Sequence, residues 1–362
     1  MKKRYFQYLL VFGIMVAMLT VGASALGTGD ASVRTDVSDI NIVLSNINGT
    51  GGSSTSPQTN TTKTVVGKSI NPGYTMIKVS DLQYLGATTQ ISGNRYYVTI
   101  NGQVITFTVG STYYSSTTSY TINKPSGGTE NYSFAVSGNT ESTTQAQSIG
   151  GAPYVRLTHA AHQCGALMVN YNSSNQAAYV FHFRVNGDTP HSDSNTYIVG
   201  GSWLNGWESK GTTQLSPNFK LNELWYSSTP GTYNRQIKIS VDSLQAEENV
   251  RYHYNDSTSI NVTSGFRTWQ GNYGTSGADR RSLHMRGRAI DATCAQTTVL
   301  YQRIFDEFKG THPEPMSSGI IWKSRVYGTA QSLSGAFELE KMPQPTGYWV
   351  HLGVKPQYGD PM

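Results

Sequence analysis

Ser282-Leu283-His284-Met285-Arg286-Gly287-Arg288-Ala289-Ile290-Asp291 is the stretch on which the reading of this chain turns. It places a His and an Asp on either side of a glycine that lets the backbone turn between them. Alone, such a spacing says little. Two further pieces flank it in order: Ser264-Gly265-Phe266-Arg267-Thr268 upstream and Tyr348-Trp349-Val350-His351-Leu352 downstream. The last reads as a strand, in which Trp349 and His351 share one side while Val350 and Leu352 turn to the core. Two His and one Asp suit a zinc ion that keeps one coordination position open, as catalytic zinc sites do. Zinc held in this way polarises a carbonyl and makes water acidic enough to attack near neutral pH.

Outward from this stretch, residues 215–362 mix helices and strands. An amphipathic helix is expected at about 241–252 and another at about 298–309. Strand-like runs sit at 259–263, 319–322 and 348–354. There is no βαβ rhythm, so this part reads as an α+β domain with a small antiparallel sheet. The preceding region, 69–185, is β-rich and contains a repeat. Met76-Ile77-Lys78-Val79-Ser80-Asp81-Leu82-Gln83-Tyr84-Leu85-Gly86-Ala87 parallels the stretch from Tyr154 to Ala166: strand, helical turn, then Gly-Ala. Residues 186–214 read as a linker, from the turn at Asn186-Gly187-Asp188-Thr189-Pro190 and the Gly200-Gly201 pair. Residues 26–68 are rich in Gly, Ser, Thr and Asn and read as a flexible linker.

The N-terminus explains part of the charge. Lys2, Lys3 and Arg4 precede an apolar run from Leu9 to Gly22 and a small-residue site at Ala23-Ser24-Ala25. Residues 1–25 therefore read as a secretory signal peptide, too short in its apolar run to span a membrane. The mature chain would have no stable membrane span and would be secreted, extracellular or cell-wall associated. Of the 27 Lys and Arg against 22 Asp and Glu, three lie in that segment, so the formal charge falls from +5 to +2 on its removal. With no basic run or nucleic-acid motif, binding to nucleic acid is not expected. Two Cys exclude a disulfide scaffold, and they read as free thiols.

The three pieces at 264–268, 282–291 and 348–352, with the segment Ser216-Pro217-Asn218-Phe219-Lys220-Leu221-Asn222-Glu223-Leu224, resemble the M15 family of zinc D-Ala-D-Ala carboxypeptidases and peptidoglycan endopeptidases. The resemblance spans about 215–355. It implies that His284, Asp291 and His351 are zinc ligands, that Arg267 grips a substrate carboxylate, and that Ser282 positions substrate or braces its loop. The catalytic base departs from the family pattern. Members carry a carboxylate three residues before the last His, where this chain has Tyr348, or two residues after it, where it has Gly353. Glu338, Glu340, Tyr348 and His312 remain candidates. Residues 69–185 resemble the copper amine oxidase N-terminal-like (stalk) domain, which implies a shared module and not copper chemistry. Together these resemblances imply a secreted zinc peptidase that cleaves amide bonds in peptidoglycan stem peptides or cross-bridges. The alternative is a zinc-containing protein that binds cell wall without turnover. Nothing in the sequence specifies an oligomeric state.

Overall fold

The computed structural model describes residues 37–70, 73–124, 126–139, 146–182, 196–201, 207–226, 235–253, 259–294, 322–327, 336–344 and 347–354. The expected signal peptide, the helix expected at 298–309 and His312 lie outside them. Among the described residues, no helix is long and apolar enough to cross a membrane.

From Val37 onward the stretch read as a linker is instead a long antiparallel hairpin, β1 (Val37–Gly52) and β2 (Pro57–Ile70). The physical reason is the period-two recurrence of Ile40, Ile42 and Leu44, all buried, which a half-buried strand requires. The Gly- and Ser-rich residues between them form the turn. Ser53 and Ser56 exchange backbone hydrogen bonds there, and Gly52 takes a φ of 91°.

The two repeat copies adopt one sequence of elements. β3 (Tyr74–Lys78) runs into a 3-10 turn, Val79–Leu85, closed by Gly86 at φ 91°. Next comes an antiparallel meander of β4 (Thr88–Ser92), β5 (Arg95–Ile100), β6 (Gln103–Thr108), β7 (Tyr113–Asn123) and β8 (Thr129–Asn139). After β9 (Gln147–Ile149), the second copy comprises β10 (Ala152–Arg156) and α1 (Leu157–Gln163), with Gly165 at φ 82°. In both copies the alanine after the left-handed glycine bonds back to the helical turn, Ala87 to Leu82 and Ala166 to Ala161. That contact and the left-handed glycine together stop a helix and turn the chain. The copies meet directly, since β10 pairs antiparallel with β3. β11 (Met168–Asn172) and β12 (Ala177–His182) complete a seven-stranded sheet in the order β11-β12-β1-β2-β3-β10-β9, in which β1 and β12 run parallel. Cys164 and Cys294 are not joined in a disulfide.

The stretch read as the second linker also contains structure. β13 (Tyr197–Gly201) is buried along its whole length and pairs with β14 (Gln236–Ser240). Gly200 is a packing position: a Cβ there would lie 2.3 Å from the ring of Trp207. A glycine that read as part of a linker thus lets an indole lie against the backbone.

The rest comprises α2 (Leu221–Leu224), α3 (Val241–His253), β15 (Asn261–Ser264), α4 (Trp269–Gly274), β16 (Ala289–Thr293), β17 (Trp322–Tyr327), β18 (Ala336–Gln344) and β19 (Gly347–Val354). Five of these strands form an antiparallel sheet in the order β15-β16-β19-β18-β17. α3 is not amphipathic in the expected sense, because it is enclosed on several sides. Gln245 exchanges hydrogen bonds of 2.7 and 2.8 Å with the backbone of Asn123 on β7. Glu248 accepts two from Asn218, at 2.8 and 2.7 Å. The same helix packs on β16 and β19.

The β-rich region and the C-terminal part share one continuous apolar core, from Ile40 through Phe134 to Ile290. A second cluster joins Ile47, Leu167, Met168 and Phe181 to Trp269 and Met285. At its edge the tip of the β1–β2 hairpin touches α4: Trp269 donates its indole N–H to Ser53 O at 2.9 Å, and Tyr273 its hydroxyl to Gly52 O at 3.1 Å.

Candidate metal centre

Local structure brings the motif residues together. Thr268 caps α4, its hydroxyl accepting from the Gly271 N–H at 3.1 Å. Ser282 does the same for the 3-10 turn Leu283–Arg286, accepting from the His284 N–H at 3.3 Å. This places Ser282 as a brace of the His284 turn. Gly287 ends that turn at φ 67° and delivers the chain into β16. There Asp291 lies directly opposite His351 of β19. Ile290 and Leu352, also paired, occupy the buried alternate face.

The result is a triangle of ligand atoms. His284 Nε2 lies 3.1 Å from both Asp291 Oδ1 and His351 Nδ1, and those two are 2.7 Å apart. Tetrahedral ligands around an ion with bonds of 2.0–2.1 Å stand about 3.3 Å from one another, so the three atoms fit a metal once the 3.1 Å edges open slightly and the 2.7 Å edge opens by about half an ångström. Among the described residues this is the only cluster with such convergence. His284 Nδ1 donates to Gly265 O at 2.8 Å, which leaves its Nε2 with a free lone pair facing the cluster, the usual device by which a ligating imidazole is oriented.

Burial and charge favour a ligand-ready state. Burial pulls the His284 pKa below its ordinary value, only partly opposed by the Asp291 charge. Burial pushes the Asp291 carboxyl up, but the neighbouring His284 and His351 rings outweigh it and hold it well below the carboxylate range. Arg267 donates from Nη2 to Asp291 Oδ2 at 2.6 Å and from Nε to Ser264 Oγ at 2.8 Å. Its own pKa is lowered by burial, against the pull of Asp291.

Of the base candidates, Glu338, Glu340 and Tyr348 fall on strands. Glu340 is the register partner of His351, Glu338 that of Gly353, and Tyr348 that of Pro343. Ser264, Asp291, His351 and Glu340 thus occupy one row across β15, β16, β19 and β18. Tyr348, three residues from His351, takes a position of the alternate face.

Sequence reasoning missed two neighbours. Tyr226 lies within electrostatic reach of Arg267, and its ring packs so closely on Gly271 that a Cβ there would sit 2.4 Å from it. Glu247 of α3 is 2% exposed, and its Oε2 has no hydrogen-bond partner among the described residues. Burial first, and then the charges of Asp291 and Glu248, push its carboxyl up to about 8. The available signal was Leu244-x-x-Glu247-x-x-Val250, an acid inside an apolar stripe at helical spacing.

That carboxyl makes stability pH-dependent. Its folded pKa of about 8 exceeds the ordinary 4.5, so between those values the folded chain retains a proton that the unfolded chain releases. Stability therefore falls as pH rises through this window and levels off above it. In equilibrium unfolding, the wild type is expected to lose about 3–4 kcal/mol more than Glu247→Gln between pH 5 and 9. Parallel pH profiles for the two proteins would show that Glu247 ionises freely.

Residues 217–307 match the family model described as Peptidase M15, a segment that contains Arg267, Ser282, His284 and Asp291 but neither His351 nor any of the β-rich region. No curated protein and no solved structure matches the chain. Over that segment the chain is similar to the M15 peptidases.

Proposed function

We propose that this chain is an exported zinc peptidase that hydrolyses amide bonds in peptidoglycan stem peptides or cross-bridges. The observation that carries the reading is the buried triangle of His284, Asp291 and His351, with the second nitrogen of His284 tied to Gly265 O. The M15 match supplies the reaction class and points to zinc and to the cell wall. The basic and apolar N-terminal segment supports export, to the side of the membrane where peptidoglycan lies.

In this reading His284, Asp291 and His351 hold the ion. Gly265 fixes the tautomer of His284, and Ser282 fixes the turn that carries it. Zinc, when bound, supplies Lewis-acid polarisation of the scissile carbonyl and water acidified to near neutral pKa. Glu340 is the favoured carboxylate to take the proton from the attacking water and pass it to the leaving amine. Its register position beside His351 supports it over Glu338 and Tyr348.

A second reading, wall binding without turnover, is favoured by the tyrosine at 348, where M15 peptidases carry an acid. Mass spectrometry of muropeptides after incubation of purified peptidoglycan with the protein separates the two. New fragments that disappear with chelator and with His284→Ala are expected. An unchanged digest from zinc-loaded protein would leave the binding reading.

A further inference from the structure

We infer that Arg267 is a positioning residue that holds the carboxylate of Asp291 for the metal, an inference that rests on the zinc reading above. The two oxygens of Asp291 are divided. Oδ1 faces His284 and His351, and Oδ2 takes the 2.6 Å hydrogen bond from Arg267 Nη2. The guanidinium is itself anchored. Its Nε donates to Ser264 Oγ, and Ser264 is the register partner of Asp291 on the adjoining strand. The side-on edge of the fork, Nε and Nη2, is thus filled from within the protein. This is one of the two edges by which a guanidinium meets a carboxylate in two-point contact. The pair is largely dry, with side-chain exposures of 15% and 4%.

The same short segment also holds a second ligand. Gly265 O accepts from His284 Nδ1 at 2.8 Å, and the Arg267 backbone N–H donates to His284 O at 3.3 Å. The segment is pinned from behind, because Phe266 N–H donates to Leu224 O and a Cβ on Gly265 would lie 2.3 Å from that oxygen. Residues 264–267 therefore orient two of the three ligands from one rigid piece of backbone. Groups that orient metal ligands contribute to metal affinity whether or not substrate is present. A group that only grips substrate does not.

The test is zinc affinity, measured by competition with a chromophoric chelator on the full chain without substrate. Arg267→Gln is expected to weaken zinc binding by about 10–100-fold. Arg267→Lys keeps the charge but cannot reach Ser264 and Asp291 at once, and should weaken it by about 10-fold. Ser264→Ala removes only the anchor and should weaken it by a few-fold, giving a milder variant should Arg267→Gln fail to fold. Unchanged zinc affinity in the Arg267 variants, with a raised KM for substrate, would overturn the inference and leave Arg267 as a substrate grip. A wild-type chain that takes up no zinc would overturn both the inference and the zinc reading.

Discussion

Glu340→Gln is expected to lower kcat by about 10²–10⁴-fold while zinc remains bound, the usual loss when a positioned proton acceptor is removed. The expectation comes from the row of backbone positions Asp291, His351 and Glu340 across three neighbouring strands. Directly opposed residues of an antiparallel pair stand with Cβ atoms about 4.5–5.5 Å apart, which sets Glu340 one strand spacing from a ligand. Glu338 lies two residues along β18, opposite Gly353. Tyr348 occupies the alternate face. Glu338→Gln and Tyr348→Phe should accordingly change kcat by only a few-fold. Steady-state kinetics on a purified stem peptide, with zinc content measured on each preparation, decides the matter. If Tyr348→Phe carries the large loss and Glu340→Gln does not, the proton acceptor has been misassigned.

Gly287→Ala is expected to remove the site and most of the stability that surrounds it. At φ 67° an alanine is already strained, but the larger obstacle is steric: the new Cβ would lie 1.8 Å from Lys238 O and 2.4 Å from its carbonyl carbon. Neither is a flexible side chain. Ser240 N–H also donates to Gly287 O at 2.8 Å, so β14 cannot withdraw without breaking that bond. The turn must move instead, taking His284 away from Asp291. A loss of about 4–5 kcal/mol is expected, the size seen when a special backbone position is also blocked. Gly277→Ala provides the comparison, since φ there is 74° but nothing lies within 4 Å of the added carbon. It should cost about 1 kcal/mol. Denaturant unfolding of both variants, with zinc uptake, checks the pair; equal losses would mean that the collision is relieved by relaxation.

The part of the site that was legible in the sequence is the part set by local geometry. A His, a left-handed glycine and an Asp on the following strand define one turn, and alternation around His351 fixes which face it shares. Arg267 was legible as important, but its tie to Asp291 depends on how β15 registers against β16, and no spacing within residues 264–291 encodes that. The burial of Glu247 is poorly legible in the sequence, because a helical glutamate ordinarily faces water, whereas α3 is enclosed. The β1–β2 hairpin was hidden by composition: Gly, Ser, Thr and Asn between Asn48 and Thr64 outweighed the short alternation of Ile40, Ile42 and Leu44 that places a strand in a core. Gly200 misled for the related reason that packing glycines and linker glycines look alike in a sequence.

The hairpin tip that meets α4 has a consequence for the order in which the molecule matures. Its hydrogen bonds to Trp269 and Tyr273 join residues 216 and 221 positions apart, and closures of that span are slow because chain entropy is lost before any contact repays it. Synthesis runs from the N-terminus, so the β-rich region is complete before residue 269 exists. The hairpin tip therefore has no surface to meet until α4 and Met285 have been made. His351 lies on β19, which sits between β16 and β18 in the sheet, so a chain arrested before its final strand lacks both a member of the triangle and the strand that joins β16 to β18.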